Sequence, residues 1–220
     1  MTLDNLNIIQ NIAIWSLPVL FAITVHEAAH GYVAWKFGDN TAKHLGRISL
    51  NPLKHIDIMG TLIVPILMLV TTGFVFGWAK PVPVNPNNLR NPKRHMAYVA
   101  IAGPMSNFFM ALFWIICLKL GLYFLKNDIA GGLAMFYMGR AGVIINLVLM
   151  ILNLIPIPPL DGSKVLLAIL PKPWDLWFHK ATPYGLILVV GLLVTGVLAK
   201  FMMPILNFVQ VGLFSAFGLT

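Results

Sequence analysis

The sequence is short of acid, short of charge altogether and almost without cysteine. Its 220 residues include seven Asp and Glu against fifteen Lys and Arg, 10% charged residues in total, and a single Cys. One cysteine excludes an intramolecular disulfide framework and any zinc site built from several thiolates; Cys117 lies in an apolar run and reads as a small core residue. So little charge excludes an ordinary soluble domain, in which about a quarter of the residues are charged. Apolar residues take the vacant share, 59% of the chain with a mean hydropathy of +0.84, which is the composition of a polytopic membrane protein. The net charge of +8 does not make nucleic acid the expected partner. The bases fall in short segments between apolar runs, the pattern that orients helices in a lipid bilayer. The opening MTLDN has an acid and no base, and the first positive residue, Lys36, follows the first apolar run, so no cleavable leader is expected. Residues 1–220 read as one integral-membrane domain.

Six apolar runs predict an all-α fold of about six transmembrane segments: 6–37, 58–76, 96–125, 133–154, 184–199 and 201–217. The first exceeds what the ~30 Å hydrocarbon layer needs at roughly 1.5 Å per helical residue, and Gly38 supplies its stop. The fourth breaks at NLIPIPPLDG and resumes as a short helical piece to Leu170. Orientation follows from the bases. With the first helix running inward, Lys36, Lys43, Arg47, Lys54, Lys80, Arg90, Lys93, Arg94, Lys164, Lys172 and Lys180 lie inside, and only Lys119, Lys126, Arg140 and Lys200 outside. The segments flanking 58–76 are both basic, so a single crossing there breaks the rule. Pro81, Pro83, Pro86 and Pro92 forbid a helix after it, and residues 77–86 are expected to return as a re-entrant extended element. Such backbone survives at membrane depth only where protein or a water-filled cavity satisfies its hydrogen bonds.

Inside the first run, TVHEAAHG (24–31) places the only glutamate of the chain, Glu27, between two histidines. In a helix, His26 and His30 are four apart and stack on one face, where their imidazoles can converge on one metal ion. Glu27 then reaches a water beside that ion as general base, the H-E-x-x-H arrangement of zinc hydrolases. An ionisable residue in a bilayer costs roughly 2.5–3.5 kcal/mol, and three occur together, so metal ligation is the economical account of them. A catalytic zinc takes three protein ligands. A second glutamate is not available, and Val33 and Lys36 stand where a metzincin needs Gly and His, which leaves an aspartate or another histidine. Asp4 and Asp128 fall at the opposite membrane side, and Asp39, Asp57 and Asp175 lie in polar segments beside bases. Asp161 alone stands in an apolar, proline-broken stretch, IPIPPLDGSKVLL, where a disrupted helix re-aims one carboxylate. It also reads as a helix N-cap.

HEAAH on a transmembrane helix, GPMSN at 103–107 and NLIPIPPLDG at 153–162 resemble the site-2 protease family of intramembrane zinc metalloproteases. LNPLKHID at 50–57 and FGWAKPVPVNP at 76–86 further resemble its compact prokaryotic members, which lack PDZ and CBS domains. The resemblance covers roughly residues 20–170. It implies that His26, His30 and Asp161 hold Zn2+ and that Glu27 is the catalytic base. The zinc site would be buried between the helices bearing the three motifs, in a catalytic core of about 6–170 with additional helices at about 183–218. It implies regulated intramembrane proteolysis of transmembrane-helix substrates, in a multi-pass protein of the cell (plasma or inner) membrane whose active site lies nearer the cytoplasmic side. By the same resemblance Asn107 and Asn153 bind substrate, hydrogen-bonding the scissile carbonyl or an unwound strand; such amides also join helices to one another in membranes. Gly103 with Pro104 reads as a packing or kink element, Trp78 as lining the cleft, and His44 and His55 as loop residues. Two rivals remain: a membrane metal-ion transporter, since His and acid residues also mark ion pathways, and an inactive relative that only binds membrane helices.

Overall fold

The computed structural model describes residues 7–64, Leu67 and 77–219. Among these residues the fold is all helical and contains no strand. The α-helices bounded within the described residues are, in order, α1 (Ile8–Lys36), α2 (Thr41–His44), α3 (Pro92–Lys126), α4 (Gly132–Leu154), α5 (Asp161–Ile169), α6 (Lys172–Val194) and α7 (Val197–Ala216). Four of them, α1, α3, α4 and α7, are long and apolar enough to cross a membrane.

They coincide with four of the six expected runs, 6–37, 96–125, 133–154 and 201–217, and a glycine sets the end of a fifth. Gly196 has φ +72°, a left-handed conformation that L side chains avoid. It falls inside the run 184–199, so α6, 23 residues long, ends at Val194 and α7 starts at Val197. The second expected crossing, 58–76, lies mostly outside the described residues. Its start is a π-helical turn, Ile58–Ile63, begun by Asp57, whose Oδ1 accepts the Gly60 N–H at 2.8 Å. The other runs fold as the sequence implies. Asn7 and Gln10 open α1 with a reciprocal capping pair, and Gly38 closes it at φ +113°.

The buried face of α1 is Ile14, Pro18, Ala22, His26, His30 and Ala34, a ridge of every fourth residue that carries both histidines. This ridge meets α3 and α4. Between membrane helices oil does not drive association, because lipid is equally apolar; close van der Waals contact does, and small residues permit it. Gly139 of α4 lies against the backbone of Leu118 in α3, and Gly142 against the Trp114 ring. Beyond them Ala111, Trp114, Ile115, Val143, Leu147, Ile151, Leu198, Met202 and Leu206 join α3, α4 and α7 in one apolar cluster.

Residues 77–85 run without helix beside the π-helical turn. The N–H groups of Trp78 and Lys80 donate to the carbonyls of Gly60 (2.9 Å) and His55 (3.0 Å), and Thr61 Oγ1 donates to the Trp78 carbonyl at 3.0 Å. Donors spent at 78, 80 and, as below, 82 give the period of two that an extended chain has.

Just past the C-terminal end of α1, Asp39 has no exposed surface and binds the connections together. Its carboxylate accepts from Thr41 N (3.0 Å), Thr41 Oγ1, Asn85 N (2.7 Å) and Asn88 Nδ2 (3.0 Å). Burial alone would raise the pKa of this group; the bonds from Thr41, Asn88 and Asn85 outweigh it and hold the value below the ordinary 3.8. Since the folded chain keeps this proton off to lower pH than the unfolded chain does, the stability it confers is complete above about pH 4 and is lost as pH falls through the folded-state pKa. Asp39→Ala strands four donors and is expected to cost about 2–4 kcal/mol. Thermal melting in detergent at pH 7 checks this, and the gap between variant and parent should narrow towards pH 3.

Candidate functional site

Two ring nitrogens and one carboxylate oxygen meet where α1, α3 and α5 converge. His26 Nε2 lies 3.1 Å from Asp161 Oδ2, His30 Nε2 lies 3.0 Å from the same oxygen, and the two Nε2 atoms are 3.0 Å apart. All three side chains are buried. Sequence separation makes the meeting non-trivial, as His26 and Asp161 are 135 positions apart.

Each partner is held in the form that exposes these atoms. Asn107 is fully buried on α3, and its Nδ2 is fixed by donation to the Ala22 carbonyl (3.1 Å) and Asn146 Oδ1 (2.9 Å). Its Oδ1 therefore faces His26 Nδ1 at 2.6 Å and accepts that ring proton. Asn146 is anchored in turn by donation to the Gly142 carbonyl at 2.8 Å. His30 Nδ1 donates to the Val99 carbonyl at 2.7 Å. With both protons on Nδ1, both Nε2 atoms present lone pairs inward. Lys164 Nζ takes Asp161 Oδ1 at 2.9 Å and leaves Oδ2 to the imidazoles. The first turn of α5 starts at Asp161 itself, with Leu160 at the cap and no side-chain cap bond, so the carboxylate is not spent on capping. Gly162 allows this turn to approach α4; a Cβ there would stand 2.6 Å from the Ile155 oxygen.

Two lone pairs and a carboxylate oxygen at such separations repel one another unless a cation lies among them. Three N and O donors are what a catalytic zinc ion takes, and donors bound at ~2.0 Å in tetrahedral geometry sit about 3.3 Å apart. The residues fit such an ion. Gly103 makes the cradle possible, because a Cβ on it would stand 2.5 Å from His26 Cε1 and 2.5 Å from His30 Nε2. The helix backbone of α3 forms the wall on which both rings rest.

Glu27 points to the other side of the ridge, half-buried, and its Oε2 accepts the Val82 N–H at 2.7 Å. The expected site residues thus divide. His26, His30 and Asp161 form one cluster, with Glu27 next to it in sequence and facing the extended segment. Asn107, expected to touch substrate, has no exposed surface and is fully engaged within the protein; it orients His26. Asn153 is half-buried near the end of α4, with Nδ2 donating to the Leu149 carbonyl at 3.0 Å and no partner at its Oδ1 among the described residues. His44 is exposed, and His55 is buried with Nε2 donating to the Ser49 carbonyl at 2.9 Å; neither joins the cluster. Trp78 lies over Gly60, where a Cβ would meet its ring. Asn146 and Val82 escaped the sequence reading, whereas Gly103, read there as a packing or kink element, allows the close approach of the two rings. An amide in the apolar stretch GVIINLVL is a signal of the same kind as Asn107, and could have pointed to Asn146. Asn107→Leu frees the His26 tautomer and is expected to weaken metal affinity about 10- to 100-fold, measured by chelator competition on the purified chain.

Relatives of the chain carry names that bear on this geometry. It is 39% identical over 194 residues, 87% of its own length and 84% of the other's, to "Putative zinc metalloprotease YwhC" of Bacillus subtilis. It is 32% identical over 183 residues, 82% of its length and 66% of the other's, to "Putative zinc metalloprotease Rip2" of Mycolicibacterium smegmatis. The Rip2 protein of Mycobacterium tuberculosis is 28% identical over 147 residues, 67% of this chain and 53% of that one. Neither a family model nor a solved structure matches.

Proposed function

Because the chain belongs to the site-2 protease family of zinc metalloproteases, we propose that it hydrolyses peptide bonds within or beside the transmembrane segments of other membrane proteins, as a step of regulated intramembrane proteolysis. His26, His30 and Asp161 are the metal ligands and Glu27 the catalytic base. The observation that carries this is the meeting of three inward-facing donors, each fixed by its own partner, two of them on a helix that is long enough to span a bilayer.

When bound, a zinc ion supplies Lewis acidity, polarising a carbonyl and lowering the pKa of water nearby. The chain supplies the rest. Glu27, held at Oε2 by Val82 and with no partner at Oε1 among the described residues, takes the proton of the attacking water at Oε1 and returns it to the departing amine nitrogen. Asn107 and Asn146 keep His26 oriented, and the Val99 carbonyl does the same for His30. The second Nδ2 hydrogen of Asn153 suits it to a substrate carbonyl.

We place the catalytic core at about 6–170 and the additional helices at about 183–218, in a multi-pass protein of the cell membrane with the site nearer the cytoplasmic face. The distribution of bases supports this orientation. The extended segment 77–86 acts as the re-entrant element beside the site, and the substrates are transmembrane helices that unwind to expose a carbonyl. The test pairs zinc analysis of the purified chain with cleavage of model transmembrane peptides in proteoliposomes. Bound zinc with a cut peptide is the expected result. Zinc flux across the vesicle without a cut would favour a transporter, and bound zinc with neither would favour a non-catalytic relative.

A further inference from the structure

Within the stretch Pro81-Val82-Pro83, two residues out of three have no N–H, so the Val82 amide is the single backbone donor available. That donor goes to Glu27 Oε2 at 2.7 Å. The contact is built rather than casual. Val82 is 8% exposed, and its Cγ1 packs over Gly31, one helical turn beyond Glu27, where Ala42 and Ile48 close the same seat. The residues leading to it are braced on both sides. Lys80 N donates to the His55 carbonyl at 3.0 Å, and Arg47 Nη2 donates to the Lys80 carbonyl at 2.8 Å.

We infer that the Val82 backbone N–H is a positioning group for Glu27, fixing one carboxylate oxygen so that the other is presented to the reacting water. A glutamate has three rotatable bonds, and an unrestrained one would lose that geometry in most of its conformers. The flanking prolines stiffen the donor and remove competing amides from the same edge. This inference rests on the proposed role of Glu27. It assigns a catalytic task to the extended segment at its Val82 end through the main chain, which no side-chain substitution scan would detect.

The experiment replaces one atom. α-Hydroxyvaline introduced at position 82 of the full chain by nonsense suppression converts the N–H to an ester oxygen and keeps the side chain in its seat. With zinc-loaded protein and a model transmembrane peptide, kcat is expected to fall about 10- to 100-fold, the effect of losing a hydrogen bond to a charged group. KM and zinc content should stay within twofold of the parent. The corresponding ester at Ala79 is expected to leave kcat unchanged. An undiminished kcat at 82 overturns the inference, as does a rise in KM alone, a parallel loss of zinc and melting temperature, or an equal loss from the ester at 79. Glu27→Gln assayed alongside separates the two readings. Cleavage that persists without the carboxylate removes the proposed function, whereas Glu27-dependent cleavage with a fully active ester removes only the role of Val82.

Discussion

Glu27→Gln is expected to leave one zinc ion per chain and to lower peptide cleavage by about a thousandfold or more. The amide keeps the length of the side chain and an oxygen for the Val82 N–H, so the groove should keep its shape. None of the atoms that converge on the metal belongs to residue 27. What disappears is the ability to take a proton from water and to hand it to the leaving amine, which general acid–base catalysis values at about 10²–10⁴-fold. Zinc by atomic emission and initial rates on one preparation give both readouts. A variant that still cleaves at a tenth of the parental rate would remove Glu27 from the role assigned to it.

Gly103→Ala is expected to do the opposite, abolishing metal binding at the outset. The added methyl carbon would stand 2.5 Å from an atom of each imidazole, well inside van der Waals contact, and neither ring has a free direction to yield. His26 is pinned by Asn107 and His30 by the Val99 carbonyl. Since alanine is the better helix former by about 1 kcal/mol, loss of the α3 helix is not the cause to expect. We expect zinc affinity to drop a hundredfold or more, beyond what loss of one orienting partner does. The parent should gain melting temperature on adding zinc and the variant should not. Parental affinity in the variant would mean that the two rings do not rest on α3 in the working enzyme.

The chemistry of this site was legible in the sequence because it is concentrated in residues that are costly in oil. His26, Glu27 and His30 announce themselves by ionisable groups inside an apolar helix, and Asp161 by three nearby prolines that break one. The supporting residues send weaker signals. Gly103 matters for an atom it lacks, and Val82 for a main-chain N–H that every non-proline residue has. Asn107 was marked by its motif, yet sequence alone does not say whether an amide faces a substrate or a ring one helix away. The boundary between the last two helices was placed too late, near Lys200, for a related reason. Hydropathy averages over a window and passes through Gly196, whose φ of +72° ends one helix and starts the next.

The 135 positions that separate His26 from Asp161 also set a timetable. A nascent chain emerging from the ribosome has its two imidazoles in the membrane long before the carboxylate is made, and α3 and α4 must both be inserted before α5 can deliver it. Until then the polypeptide has only two of the three donors of the cluster, and completion of the site waits for synthesis through residue 161.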